Sequence, residues 1–466
     1  MQAMGVVGTA AAAVGFIAAV AASTHALLYK RRPQSAFGWI ALCFSLPLAG
    51  ALLYYFFGIN RVKTRARKLL TRHPAEVCPT EHLGAPPPGL EPLGRLGYAV
   101  TDLPLTTGNH VRALHNGEHT FPAMLAAIRG ATRRVFLSTY IFETGPLGRE
   151  FVAALAAAAA RGVDVRVLLD GIGEFYSLPR ASTLLRKAGV RVARFLPPRL
   201  WPPLLSVNLR NHRKILAVDG TLAFTGGVNI RESYLAKGGA KIVDLHASLA
   251  GPVVAQVESV FLRDWHFVTG EGARTPATHA ELPGRAECRA IADGPERSHD
   301  RLTELLVGAI GAARKRVAIM TPYFLPPREL IAPLQAAALE GVDVAVILPA
   351  RNNLPYVHRA TRHMLWELLE RGVQVYYQPG PFAHSKLFYV DEDYAQIGSA
   401  NLDPRSLRLN FEMNVEVYDR RFVSELSEHF EAVRARSKRI TVREVDARAL
   451  RTKLVDGAAW LFSPYL

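Results

Sequence analysis

Cysteine and acidic side chains are both scarce in this chain of 466 residues. The three cysteines, Cys43, Cys78 and Cys288, are odd in number and far apart, so neither a disulfide framework nor a Cys-x-x-Cys metal site follows from them. Asp and Glu number 40 against 56 Lys and Arg, a balance that suits phospholipid head groups or nucleic acid without choosing between them. Hydrophobic residues make up 49%, which excludes disorder as the main state.

Formal charge is absent from residues 1–29 and again from 33–60. About 20 apolar residues span a bilayer, and the stretches 5–29 and 36–57 are both long enough. A cleaved signal peptide is the alternative for the first stretch, since Ala21-Ala22-Ser23 resembles a cleavage site, but no charged residue precedes the apolar run. The pattern therefore predicts a two-helix transmembrane hairpin over residues 1–60.

Basic residues on either side of the second apolar stretch predict its orientation. Three lie between the two stretches, at 30–32, and six follow the second stretch between 61 and 72. The positive-inside rule places the larger cluster in the cytoplasm, beside anionic lipid. Residues 61–98 thus read as a basic juxtamembrane segment and a Pro- and Gly-rich linker, with the domains that follow on the cytoplasmic side.

The remainder of the chain consists of two copies of one sequence repeat. An apolar stretch at 133–140, an Ala-rich helical stretch and a second apolar stretch at 162–169 recur at 314–323 and 341–348. Helices alternating with uniformly apolar strands are typical of βαβ units in a sheet covered on both faces. We predict two similar α/β domains, at 99–285 and 286–435, and a tail at 436–466 that either lies on the membrane or packs on the second domain.

A five-residue constellation recurs in both units at offsets 0, +2, +7, +14 and +17. Its members are His212, Lys214, Asp219, Gly226 and Asn229 in the first unit, and His384, Lys386, Asp391, Gly398 and Asn401 in the second. Histidine and lysine two residues apart on an extended strand share one face. A site built from both units would therefore hold two histidines, two lysines and two asparagines.

That set of side chains suits a phosphodiester. The lysines neutralise non-bridging oxygens, Asn229 and Asn401 add hydrogen bonds, and the small residues Gly226, Gly227 and Ser399 let a phosphate approach the backbone. One histidine attacks phosphorus while the other acts as general acid and base. The lysines supply the charge that a metal would bring, and no Walker loop is present, so we expect neither metal nor cofactor.

A chain with two His-x-Lys-x4-Asp motifs resembles the phospholipase D superfamily, and several other short sequence segments resemble those of bacterial cardiolipin synthases. These segments are residues 398–406 with 409–412, 107–109, 139–142, 320–324 and, in the hairpin, 35–39 and 53–58. The resemblance implies two phospholipase D-like domains with a pseudo-two-fold composite active site. It implies transfer of a phosphatidyl group between two phosphatidylglycerols in the bacterial inner membrane, without nucleic acid as partner.

The resemblance also implies roles for single residues. His212 is the expected nucleophile and His384 the general acid, and in the family an acid on the next strand orients each imidazole. We expect Glu412 to orient His384 and Asp244 to orient His212. Asp219 and Asp391 complete the catalytic motif, although their place at strand ends favours a turn-capping role.

Two rival functions remain open at this point. A hydrolase of the same superfamily, either a lipase or a nuclease, would use the same residues with water as acceptor. A non-catalytic membrane scaffold on the same fold would have no need of both histidines, and both are present.

Overall fold

A computed structural model describes residues 2–30, 33–59, 82–198, 209–235, 242–272, 284–294 and 300–463. The chain divides into two compact units, residues 1–68 and 69–466.

The N-terminal unit consists of apolar helices. They are α1 (Gln2–Tyr29), α2 (Pro33–Ser45), α3 (Pro47–Leu53) and a π-helical turn (Tyr54–Gly58). Helix α1 packs against α2 and α3, and Ala19, Ala26 and Cys43 are buried between them. His25 Nδ1 and the Tyr54 hydroxyl share a hydrogen bond of 2.8 Å.

One described helix is long and apolar enough to cross a membrane, over Ala12–Tyr29 with a mean hydropathy of 1.6. The second apolar stretch is interrupted, because Pro47 has no N–H to donate and a new helix begins there. The expected pair of uninterrupted spanning helices is therefore found for the first segment only. The second is a shorter apolar helix at Pro47–Gly58 preceded by α2.

The second unit holds two copies of one α/β module, followed by a short C-terminal segment. The helices before and in the first copy are α4 (Glu91–Thr101), α5 (Asn116–Gly130), α6 (Pro146–Ala160), α7 (Ala181–Lys187) and α8 (Val253–Thr269). Those of the second copy and the end are α9 (Arg301–Ala312), α10 (Arg328–Leu339), α11 (Pro355–Leu369), α12 (Pro404–Arg408), α13 (Arg420–Ala435), α14 (Val442–Asp446) and α15 (Leu450–Leu461). Short 3₁₀ turns lie at Gly173–Tyr176 and Glu232–Tyr234.

The strands divide evenly between the copies. The first has β1 (Thr106–His115), β2 (Arg134–Thr139), β3 (Asp164–Asp170), β4 (Arg191–Phe195), β5 (Ile215–Val218), β6 (Leu222–Gly226), β7 (Ile242–Val243) and β8 (Leu245–Ala250). The second has β9 (Ala286–Asp293), β10 (Arg316–Met320), β11 (Asp343–Pro349), β12 (Gln374–Gln378), β13 (Phe382–Ala383), β14 (Leu387–Val390), β15 (Tyr394–Gly398) and β16 (Glu412–Tyr418), and β17 (Lys438–Ile440) follows.

The two copies share one continuous sheet with a pseudo-two-fold order. From the centre outward, the first copy runs β1-β8-β6-β5-β2-β3-β4 and the second β9-β16-β15-β14-β10-β11-β12, with β17 added at that edge. Strands β1 and β9 pair antiparallel at the centre. The βαβ strands β2-β3-β4 and β10-β11-β12 are parallel, as the alternation of helices and apolar strands predicts.

Helices cover the sheet on both faces, which explains why its strands are so uniformly apolar. All six residues of β2 and all seven of β16 are buried. One core lies under α8 and α13 and runs through both copies, and each copy has a second core on its other face. The C-terminal helix α15 packs against α11 of the second copy.

Candidate active site

Each His-x-Lys segment is held in place by the opposite copy. The His212 N–H donates to the Phe411 carbonyl at 2.9 Å, and the His384 N–H donates to the Val243 carbonyl at 2.8 Å. Short parallel pairings continue these contacts, Asn211 with Phe411 and β13 with β7. Both motif histidines are therefore delivered to the boundary between the copies, immediately before strands β5 and β14.

The carboxylate partners of the histidines are crossed between copies. His212 Nδ1 lies 3.0 and 3.1 Å from the two carboxylate oxygens of Glu412. His384 Nδ1 lies 2.8 Å from Asp244 Oδ2. The expected pairing of Glu412 with His384 and of Asp244 with His212 is wrong, because each acid follows its own copy's hairpin to the shared boundary and meets the imidazole of the other copy.

The two carboxylates differ in the hydrogen bonds that they accept from neighbouring groups. Glu412 accepts hydrogen bonds from the Ser399 hydroxyl and from Asn410 Nδ2, the latter at 3.3 Å. Asp244 accepts the N–H of Leu245 at 2.8 Å. Gly227 occupies the position equivalent to Ser399, and a Cβ there would lie 2.4 Å from both Asp244 oxygens. A serine therefore fits next to the Glu412 carboxylate at position 399, whereas the equivalent position 227, next to the Asp244 carboxylate, has no room for a side chain.

This geometry corrects the phosphate-binding role expected for Gly226, Gly227 and Ser399. A Cβ at Gly226 would lie 2.6 Å from His246 Cα, so this glycine permits close packing of β6 on β8. Gly227 leaves space for the Asp244 carboxylate, and Ser399 is fully buried with its hydroxyl on Glu412. None of the three lines the cavity described below. The small residues position the orienting acids rather than a phosphate.

The motif aspartates lie away from the histidines, at the far ends of β5 and β14, about 16 Å from the lysines along an extended chain. Asp219 accepts the N–H groups of residues 132–134 at 2.8 to 2.9 Å, and Asp391 accepts those of residues 314–316 at 2.8 Å. Both have positive φ, 53° and 51°, in tight turns. Their inclusion among the catalytic residues is wrong, and the turn-capping role applies.

The two lysines stand beside the imidazoles. Lys214 Nζ donates to the His212 carbonyl at 2.7 Å, and Lys386 Nζ donates to the His384 carbonyl at 2.6 Å. Lys386 Nζ also lies 2.9 and 3.0 Å from the two ring nitrogens of His384. Both ammonium groups are buried, so an anion entering here meets positive charge with little water to screen it.

Burial lowers the pKa values of the two motif histidines and the two motif lysines. It lowers the pKa of His212 and of His384 to about 4, with Lys386 adding to the effect on His384. Burial also lowers the pKa of Lys214 to about 7 and that of Lys386 to about 8. Burial acts to raise the pKa of Glu412, but His212, Lys214 and Ser399 outweigh it and lower that pKa. Both imidazoles are therefore neutral at neutral pH before a phosphodiester binds.

A cavity of about 380 Å³ opens on the two imidazoles and is lined by residues of both copies, while Lys214 and Lys386 lie beside the imidazoles outside its lining. His212 and His384 face it together, as do Asn229 and Asn401. Asn229 Oδ1 accepts the Ile141 N–H at 3.1 Å, and Asn401 Nδ2 donates to the Ser406 hydroxyl at 3.2 Å. The paired histidines and asparagines predicted from the repeat thus meet in one composite site.

Several cavity residues were not predicted from the sequence. They are the aromatic residues Tyr140, Tyr234 and Tyr323 and the cations Arg210, Arg231 and Arg405. Tyr140 and Tyr323 follow equivalent strands of the two copies, but their offsets from the strand starts differ by one residue, so the repeat alone does not pair them. Arg210 is buried and lies 3.3 Å from Asp170, a contact that local sequence does not reveal.

The alkaline pH dependence of catalysis should follow the lysines. Because burial lowers the pKa of Lys214 to about 7 and of Lys386 to about 8, the site loses positive charge as the pH rises through this range. We expect kcat/KM to fall there, and kcat to fall at higher pH, because a bound phosphodiester favours the charged lysines. The measurement is a pH profile of both constants with a phosphodiester substrate.

Lys214→Arg serves as the control, because arginine stays protonated throughout this range. In that variant the alkaline limb should move upward even if the plateau is lower. A kcat/KM limb that begins only near the ordinary lysine value, about 10.4, would contradict the assignment.

Comparison with known proteins first defines the class. A family model described as "Cardiolipin synthase, PLD-like domain" matches residues 124–265 and 306–434, one match in each copy. A second, "Phospholipase_D-nuclease N-terminal", matches residues 17–58. The crystal structure of a phosphatidylserine synthase from Haemophilus influenzae Rd KW20 superposes with a TM-score of 0.64 at 16% identity, covering 80% of this chain and 100% of that one. The fold is thus that of two phospholipase D-like domains.

Sequence relatives then define the family. The chain is 33% identical over 460 residues to a cardiolipin synthase of Geobacillus kaustophilus, covering 94% of this chain and 90% of the relative. It is 34% identical over 471 residues to cardiolipin synthase A of Pseudomonas fluorescens, covering 97% and 96%. The chain belongs to the cardiolipin synthase family, an enzyme family of phosphatidyltransferase type. Its N-terminal apolar helix is consistent with membrane association.

Proposed function

We propose that this enzyme transfers a phosphatidyl group from one phosphatidylglycerol to another, giving cardiolipin and glycerol. The observation that carries the proposal is the composite cavity, in which two imidazoles each have a carboxylate of the opposite copy and a lysine of their own. Exchange of one phosphodiester for another needs no external energy source, and the relatives named above are cardiolipin synthases. In this proposal the domains at 99–285 and 286–435 together form a single active site.

The first half-reaction forms a phosphohistidine. The carboxylate of Glu412 holds Nδ1 of His212, which leaves Nε2 to attack the donor phosphorus. As the N–P bond forms, the P–O bond to glycerol breaks, and His384 gives its proton to the departing glycerol oxygen. Asp244 supports the imidazolium of His384 before that transfer. The entering anionic phosphodiester favours this protonated state.

The second half-reaction reverses these roles. Neutral His384 removes the proton from a glycerol hydroxyl of the second phosphatidylglycerol, whose oxygen attacks phosphorus and releases His212. Lys214 and Lys386 neutralise the phosphoryl oxygens throughout, and Asn229 and Asn401 lie at the cavity wall to hydrogen-bond them. The choice of His212 as nucleophile follows the family resemblance, because the crossed carboxylates give both imidazoles similar support.

Product analysis tests this function. Purified enzyme is incubated with phosphatidylglycerol as its sole lipid, beside His212→Ala protein prepared identically. Cardiolipin and glycerol in equal amounts support the proposal. Phosphatidic acid and glycerol without cardiolipin would identify a hydrolase that uses water as acceptor, and no turnover of any phosphodiester would favour a scaffold.

Chelators should leave catalysis intact. The two buried lysines supply the charge that a divalent cation would otherwise bring to the phosphoryl group, so we expect full turnover in excess EDTA. The measurement compares initial rates with and without chelator at constant ionic strength, because cations also screen anionic lipid surfaces. Loss of activity that a divalent ion restores would contradict this mechanism.

We further propose that both N-terminal segments cross the bacterial inner membrane, with the catalytic domains in the cytoplasm. The second segment, α2 with α3 and the π-helical turn, packs on α1, and neighbouring helices can compensate backbone groups freed at Pro47. The six basic residues at 61–72 set the orientation.

Cysteine labelling in intact cells tests this orientation. In a background with Cys43 and Cys288 replaced by alanine, native Cys78 should resist a membrane-impermeant maleimide until the cells are lysed. With Cys78 also replaced, Gln34→Cys, at the exposed start of α2 beside the junction between the two segments, should react in intact cells. The opposite labelling pattern would place the catalytic domains outside.

A further inference from the structure

A second cavity of about 380 Å³ lies in the second copy and shares no lining residue with the catalytic cavity. It is bordered by α11, the ends of β11 and β12, β17 and α14 and is open to solvent on one side. We propose that this cavity binds a single-chain anionic lipid, with the acyl chain inside and a carboxylate or phosphate head at the cationic rim. The proposal does not depend on the catalytic function.

The second cavity is lined in part by apolar side chains. They are Ala350, Leu365, Pro379, Ile440 and Val445. Small-molecule sites are typically concave, mostly apolar and about 300–1,000 Å³ in volume, with a few polar groups that fix orientation. A volume near the lower end of that range suits one chain rather than two.

The rim of the second cavity carries excess positive charge. Four cations, Arg362, Arg436, Lys438 and Arg448, stand against two carboxylates. Buried Asp456 lies 2.6 Å from both Arg362 and Arg448, and Glu444 lies 2.7 Å from Lys438. Within the described part of the chain, the Arg436 guanidinium has no ion-pair partner. An anionic head group would match the remaining charge.

A buried hydroxyl at the second cavity also lacks a partner. The Tyr377 side chain lines the cavity with its ring centroid 5.5 Å from that of His358 and tilted by 40°, and its hydroxyl has no hydrogen-bond partner among the described residues. The same holds for Nε of Arg362. Buried polar groups are normally satisfied, so two orphan donors at one cavity point to an acceptor-bearing ligand. Carboxylate and phosphate oxygens are such acceptors.

The second cavity adjoins the loops that carry catalytic-site residues. Ala350 and Pro379 follow β11 and β12 directly, and three residues further on Asn353 and Phe382 line the catalytic cavity. A bound lipid would thus rest against the same two loops. Binding sites in α/β sheets commonly lie at the carboxyl ends of parallel strands, which is where this cavity is found.

Photolabelling of the full-length protein in detergent tests the proposal. The probe is palmitate with a diazirine in its chain, and the neutral comparison is the monoacylglycerol of the same chain. Mass spectrometry should locate palmitate adducts on α11, β17 or α14, competed by unlabelled palmitate. The neutral analogue should label these peptides about tenfold less. Equal labelling by both probes, or labelling confined to the catalytic cavity, would overturn the proposal.

Charge-reversal and cavity-filling variants complete the test. Arg436→Glu combined with Lys438→Glu should lower palmitate labelling about tenfold, because the rim then repels the head group. Lys187→Glu, an exposed cation on α7 of the first copy, should leave labelling unchanged. Leu365→Trp should reduce labelling by both probes, with folding of each variant checked by circular dichroism. Undiminished labelling in the rim variant would overturn the proposed head-group position.

Discussion

His212→Ala and His384→Ala are each expected to abolish phosphatidylglycerol turnover, with losses of about 10⁴-fold or more. The cavity holds one imidazole from each copy, so neither copy has both a nucleophile and an acid. Removing either one therefore stops the whole cycle rather than half of it. Steady-state formation of cardiolipin is the measurement. His119→Ala, an exposed histidine that lies outside the cavity lining, is the matched control and should retain full activity.

The two variants should differ once the leaving group no longer needs a proton. With a phosphatidyl p-nitrophenol donor, His384→Ala should release one equivalent of p-nitrophenol in a burst and accumulate a phosphoryl adduct on His212. His212→Ala should release none. Half-activity in either single variant would rule out a composite site, and an adduct on His384 in the wild-type protein would exchange the two roles.

The internal repeat explains why so much of the site was predictable. His212 and His384 stand at the same offset in two copies of one unit, and both His-x-Lys segments meet the opposite copy at the shared boundary. Alternating helices and apolar strands likewise predicted the parallel strands on each side of the sheet. Both predictions rest on patterns within short sequence segments, which determine secondary structure directly.

The crossing of the acids was not predictable in this way. Glu412 lies 11 residues after Asn401 and Asp244 lies 15 after Asn229, and no spacing tells which imidazole each acid reaches. That choice depends on how the two halves of the sheet meet at β1 and β9. The role of Ser399 depends on the same contact, since its hydroxyl finds Glu412 only after β15 and β16 pair.

The second apolar stretch illustrates a different limit. Hydropathy averages over a window and gives Pro47 little weight, whereas the backbone responds to one missing N–H. Residues 36–57 therefore satisfied the length rule while the structure divides them at Leu46. Proline position carries information here that apolar content does not.

Asp244→Asn and Glu412→Gln are expected to lower turnover by about 10² to 10⁴-fold, because each amide can stabilise the wrong imidazole tautomer and cannot support an imidazolium. The crossed geometry predicts which step each change affects. Asp244 contacts His384, so Asp244→Asn should preserve the p-nitrophenol burst and slow cardiolipin formation. Glu412 contacts His212, so Glu412→Gln should weaken the burst itself. Rapid-quench measurement of burst rate and steady-state rate separates the two.

Asp219→Asn is the matched control for these amide substitutions. Its carboxylate accepts backbone N–H groups at a turn remote from the cavity, so the variant should lose about 1–2 kcal/mol of stability while keeping its burst rate. If Glu412→Gln preserved the burst and Asp244→Asn removed it, either the carboxylates would serve the imidazoles of their own copies or His384 would be the nucleophile. The site of the trapped phosphoryl adduct distinguishes these two cases, because an adduct on His212 leaves only the first.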